Sequence, residues 1–171
     1  MKHVTHIIAL PRCRTAWLSV ALTQPPHSFA FHDGCGDDAR REILSPLDYA
    51  YKLTGQEAQN VIDCSSGIAS LPVHLGMVGG PIIVIEPDDI DRCRDSWIRH
   101  MRQPGLIEHW PRILQNFGQC QAGFAGRIAL RVPFHDITEQ MPAIWAVCCP
   151  GVPYDAQRIK ELSRLNIQEI H

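Results

Sequence analysis

The sequence predicts an α/β domain with a mainly parallel central sheet flanked by helices. Three observations carry this. Short apolar runs alternate with amphipathic stretches along the chain, the pattern of strands joined by right-handed helical crossovers. Residues 81–86 (PIIVIE) contain four consecutive β-branched residues, which suits a strand covered on both faces and hence a parallel sheet. The length of 171 residues is enough for one domain with a real core, so residues 1–171 are expected as a single unit.

Residues 3–10 are apolar, end at Pro11 and read as a buried first strand. Residues 15–23 follow as a helix, stopped by Pro25 and Pro26. SFAFH, at 28–32, is a second strand, and DGCG, at 33–36, a loop. Residues 46–53 read as a helix with Ser45 as N-cap and Pro46 at its first position. NVIDC, at 60–64, is a third strand closed by Ser65, Ser66 and Gly67. After the 81–86 strand, residues 88–101 form a helix: Ile90, Cys93 and Trp97 recur at helical spacing, and acids crowd the first turn. Residues 105–117 are helical, bent or restarted near Pro111. Residues 127–132 and 143–148 are later strands, and 155–165 a final helix with Ile159, Leu162 and Leu165 on one face.

Composition narrows the function classes. The net charge of −2 provides no global field toward nucleic acid or a membrane surface. No apolar stretch approaches the ~20 residues of a membrane span. The seven cysteines are odd in number and form no CxxC pair, which argues for reduced thiols in a cytosolic protein and against a disulfide framework or a metal site. The N-terminal apolar run is interrupted by Pro11, Arg12 and Arg14, so it lacks a secretory layout.

The most informative stretch is LPRCRTAWL, at 10–18, where the first strand meets the first helix. Ligands in such folds bind at the carboxyl ends of strands. A helix N-terminus offers free N–H groups and partial positive charge to an anion. Arg12 and Arg14 add fork-shaped donors, and Thr15 a hydroxyl. Arginines in this place oppose the helix dipole, and a bound anion is a natural reason to tolerate them. A solvated connection with outward arginines is the simpler alternative.

The same stretch resembles the 5′-phosphosulfate loop of the sulfotransferase family, Pro-(Lys/Arg)-Ser-Gly-Thr-Thr-Trp, at Pro11, Arg12, Thr15 and Trp17. Cys13, Arg14 and Ala16 stand where Ser, Gly and Thr are usual. The likeness is nearest to short sulfotransferase-like proteins of phages and prophages, which carry an arginine in the glycine position. FHDG at 31–34, DCSSG at 63–67 and the closing segment from Cys148 also fit that pattern. The resemblance implies a three-layer P-loop-like domain that binds 3′-phosphoadenosine-5′-phosphosulfate and transfers its sulfuryl group to a hydroxyl acceptor. It implies Arg12 on the bridging and 5′-phosphate oxygens, and Thr15 on the 5′-phosphate. Cys13, Arg14 and Ala16 complete the loop, Trp17 lies beside the adenine, and Ser65 and Ser66 flank the site. The acceptor's base is implied at Asp33 or His32. Strand alternation puts these two on opposite faces, and the acid found in the related short proteins favours Asp33. Trp17 is equally readable as a core residue, and His32 and Asp33 as a surface strand end. His74 reads as a packed helix residue, and His135 as the start of a surface helix.

Two departures stand out. The family's 3′-phosphate arginine is replaced by Glu86-Pro87 at the end of the 81–86 strand, and Cys93 stands near the place of its serine. Arg92, Arg94 or Ser96 are the groups available to compensate. Three other readings therefore stay open: a kinase-like nucleotide or phosphate binder, a non-catalytic anion-binding descendant, and a thiol enzyme with Cys13 as nucleophile. No Gly-Lys-Ser/Thr occurs, which counts against a Walker-type hydrolase. Position 19 is serine, which breaks the phosphatase Cys-x5-Arg spacing. Acceptor identity and quaternary state are not written in the sequence.

Overall fold

The computed structural model describes residues 3–33, 54–55, 57–66, 75–76 and 79–165. Apolar runs supply the strands β1 (His3–Ala9), β2 (Ser28–His32), β3 (Asn60–Ser65), β4 (Ile82–Glu86) and β5 (Ile128–Pro133). They join in one sheet of order β2-β3-β1-β4-β5 with every pairing parallel. Ile82 to Ile85 of β4 are fully buried, as a strand covered on both faces requires. β5, at the edge, exposes Ala129 and Arg131 and buries Val132.

The helices are α1 (Thr15–Leu22), α2 (Ile90–Met101), α3 (Trp110–Gly123), α4 (Met141–Cys148) and α5 (Ala156–Leu162). A 3-10 turn, Pro104–His109, precedes α3, so Pro111 marks a helix start and not a bend. In the first turn its missing N–H costs no helical hydrogen bond. The expected strand at 143–148 is instead α4. Met141, Ile144, Trp145 and Cys148 are buried at helical spacing, with Pro142 in the first turn. A short apolar segment is open to either reading, and here the buried set has the helical period. The Val147 carbonyl accepts from Thr5 Oγ1 at 3.3 Å and lies 2.8 Å from His3 Nε2, which ties α4 to β1. The expected helix at 46–53, the loop beyond Asp33, Gly67 and His74 lie outside the described residues.

β1 sits at the topological switch. The chain passes from it to β2 on one side, and from β3 across to β4 on the other. A crevice at the carboxyl end of β1 follows from that reversal. α1 begins there, and α5 holds it in place. Arg158 donates to the carbonyls of Ala21, Val20 and Thr23 at 2.6–2.9 Å. α1 has no basic residue in its own last turn, so these orphan carbonyls are satisfied from α5. No helix among the described residues is long and apolar enough to cross a membrane.

Gly80, just before β4, has φ of 106°, and a Cβ there would fall on the Val4 carbonyl oxygen. Both conformation and space demand glycine. Gly80→Ala is expected to lower stability by about 2–4 kcal/mol. Urea unfolding checks this, and a midpoint equal to the parent's would contradict it.

Candidate functional site

Leu10 and Pro11 leave β1, and the Cys13 N–H donates to the Leu10 carbonyl at 3.2 Å to close the turn. Arg12 and Arg14 both take left-handed backbone angles, with φ of 72° and 58°. Such angles cost about 1–2 kcal/mol for a residue with a Cβ, and strain of this kind clusters at ligand-binding loops. Arg14 is the N-cap residue of α1 but its side chain makes no capping hydrogen bond, and no acid lies in the first turn. The first-turn N–H groups of Thr15, Ala16 and Trp17 thus have no capping side chain in front of them, an arrangement suited to an anion.

Arg12 is half-buried, and burial draws its pKa below the usual arginine value. Its Nε donates to Ser96 Oγ of α2 at 3.3 Å. It lines two cavities. One, of about 210 Å³, is bounded by Pro11, Thr15, Ala16, His32, Asp33 and Ser66, with Trp97, His100 and Met101 of α2 opposite. The other, of about 180 Å³, is bounded by Asp88, Asp89, Arg92, Cys93, Ser96 and Phe134. Trp97 is braced by Trp110, with ring centroids 5.8 Å apart.

Asp33 and His32 face the same cavity, contrary to the alternation argument. β2 ends at His32, and Asp33 turns back with φ of 52°, so strand alternation no longer governs it. His32 Nε2 lies 3.2 Å from Asp33 Oδ2. Asp33 accepts from the Ser66 N–H at 2.7 Å and from Ser66 Oγ at 2.8 Å. Both its oxygens are therefore engaged. Asp33 is held as the partner of His32, whereas the sequence favoured it as the free base.

Other expected residues part from the cavities. Arg14 lines neither. Its guanidinium lies over Phe134 and Trp17, 5.8 and 6.0 Å from the ring centroids, and 3.5 Å from Thr138 Oγ1. Trp17 is a core residue whose indole N–H donates to the Leu162 carbonyl at 3.0 Å, and it lines neither cavity. Cys13 is fully buried with its Sγ 3.6 Å from Cys93 Sγ, so its side chain does not line the cavities. Ser65 is buried and donates to Asp63 Oδ1 at 2.6 Å; Ser66 is the serine that reaches the site. Glu86 pairs with Arg131 at 3.0 Å and lines neither cavity. Asp88 and Asp89 are the acids that do. Asp88 contacts His135 Nδ1 at 2.7 Å, which raises the His135 pKa. Arg94 is taken up by Asp91 and Asp95. Arg92 and Ser96 remain beside Arg12, and Ser96, not Cys93, is the helix group that holds it.

Trp97 reads from the sequence only as part of the helical period of α2, and His100 and Met101 carry no expectation, yet all three line the cavity. The helical spacing of Cys93, Trp97 and Met101, together with the position of α2 after β4, contained the signal. No group of three or more potential metal ligands occurs among the described residues.

No family model matches the chain, and no curated protein matches it. Five chains of solved structures do. One is the crystal structure of mouse sulfotransferase SULT7A1 complexed with PAP, at a TM-score of 0.57 and 12% identity, covering 96% of this chain and 64% of that one. The chain thus spans about two thirds of the length of the structure it matches. The likeness shows the fold: a three-layer, P-loop-like α/β domain with a five-stranded parallel sheet.

Proposed function

We propose that the chain is a sulfotransferase-like enzyme that binds 3′-phosphoadenosine-5′-phosphosulfate, or a close relative, at the Arg12 loop. The observation that carries this is the position of Arg12. It lies in the loop leading into an uncapped helix at the switch point of the sheet and borders both the His32–Asp33 cavity and the Arg92–Ser96 cavity. The solved structure with PAP supports the same ligand class through its fold.

When bound, the nucleotide supplies an activated sulfuryl group whose departure leaves negative charge on the 5′-phosphate. Arg12, the Thr15 hydroxyl and the first-turn N–H groups of Thr15, Ala16 and Trp17 would meet that charge with preorganised donors. His32 would take the proton of the acceptor hydroxyl, and Asp33, gripped by Ser66, would orient the ring. Trp97 and Met101 would give the acceptor cavity an apolar wall. Transfer of labelled sulfuryl from the nucleotide to a panel of alcohols and phenols tests the proposal. Label on an acceptor is expected; its absence from every acceptor, with the nucleotide bound, would favour a non-catalytic binder.

The 3′ side fits less well, because Asp88 and Asp89 share the cavity with Arg92 and Ser96. This favours, as a second reading, a nucleotide or phosphate ester without a 3′-phosphate. The 3′-phosphate is therefore expected to add at most about 1.4 kcal/mol, or one decade in affinity. Calorimetry comparing adenosine 5′-phosphate with its 3′,5′-bisphosphate measures this. A preference of several decades would contradict it and assign the contact to Arg92.

A further inference from the structure

We infer that Cys13 and Cys93 form an oxidisable dithiol that couples the anion loop to α2. The two sulfurs lie 3.6 Å apart, although the residues come from separate elements. Cys13 is fully buried, whereas Cys93 is partly exposed and lines the cavity with Arg92 and Ser96. The other described cysteines are buried. One thiol is thus accessible to a small oxidant and the second stands behind it, the layout of a reacting and a resolving cysteine. The hydrogen bond between them agrees with this order: it lowers the Cys93 pKa and raises that of Cys13.

The oxidant is a peroxide. The Cys93 thiolate attacks one peroxide oxygen, the O–O bond breaks, and the departing hydroxide takes a proton to become water. Cys93 is left as a sulfenic acid. The Cys13 sulfur, giving up its proton, then attacks the Cys93 sulfur and displaces hydroxide, which leaves as a second water. Overall two thiols and one hydrogen peroxide become one disulfide and two waters.

An S–S bond of about 2.05 Å draws the sulfurs some 1.5 Å closer than they stand. Residue 13 and the middle of α2 move together, and the space between Arg12, Arg92 and Ser96 shrinks. Oxidation should therefore weaken phosphate ligands at that cavity. The disulfide goes beyond the transferase proposal; its effect on nucleotide affinity rests on that proposal.

The experiment treats the full chain with about 1 mM hydrogen peroxide and maps it by mass spectrometry. Chymotrypsin is needed, because trypsin would release both cysteines as Cys-Arg dipeptides. The expected result is a Cys13–Cys93 cross-linked peptide, about 2 Da lighter than the pair of thiols and restored by dithiothreitol. Cys93→Ser should abolish it. Because a buried Cys13 variant risks misfolding, the parent's own peptide map decides the matter. Peroxide consumption without this cross-link, or cross-linking to another cysteine, overturns the inference. PAP is then titrated into reduced and oxidised protein. A loss of about tenfold or more on oxidation supports the coupling, and equal affinity refutes it. A reduced protein that binds no PAP overturns the transferase proposal and the coupling together, while the cross-link is judged by the map alone.

Discussion

Replacing His32 by alanine is expected to lower turnover with any accepted hydroxyl substrate by roughly 10²–10⁴, while PAP affinity stays nearly unchanged. The ring borders the cavity, and its Nε2 is directed at Asp33 Oδ2 at 3.2 Å. Asp33→Asn should cost a similar factor, because an amide cannot hold the ring in the same tautomer while also accepting both Ser66 donors. The double variant should be little worse than either single one, since a base and its orienter act as a unit. Steady-state rates of the three variants check this. Full activity in either single variant would place the base elsewhere, and multiplying losses would mean the two residues work independently.

Arg12→Ala is expected to affect binding and turnover together. Loss of a charge-assisted contact to phosphate costs about 1.5–3 kcal/mol, or about one to two decades in affinity. Loss of a donor aimed at developing charge costs a further ~10²–10³ in turnover. Arg14→Ala should do far less, because its guanidinium rests over Phe134 and Trp17 and lines neither cavity. Dissociation constants for PAP and single-turnover rates distinguish the two arginines. Equal losses in both variants would show that Arg14 swings into the site.

Much of the sheet was legible because its strands are short apolar runs with sharp ends. The run ending at Pro11 and the β-branched Ile82 to Ile85 needed no tertiary information. α4 was misread because a short, wholly apolar segment satisfies both periods, and only its buried set at 141, 144, 145 and 148 decides for a helix. In the site, Arg12 was legible from its place between strand and helix. The divergence of Arg14 was not, because both arginines adopt left-handed angles and the side-chain direction depends on that backbone. Asp33 shows the same limit: its positive φ takes it out of the strand, and a period of two cannot foresee that. The gripping of Asp33 by Ser66 and of Arg12 by Ser96 spans 33 and 84 residues, a separation that no local pattern encodes.

The most direct test of the Arg12 loop as a nucleotide site is an amide-resolved NMR titration with PAP. The expected result is saturable shifts at residues 12–17 and around Ser96, suppressed in Arg12→Ala. Saturable shifts confined to other parts of the sheet, with the amides of Thr15 to Trp17 unmoved, would contradict it.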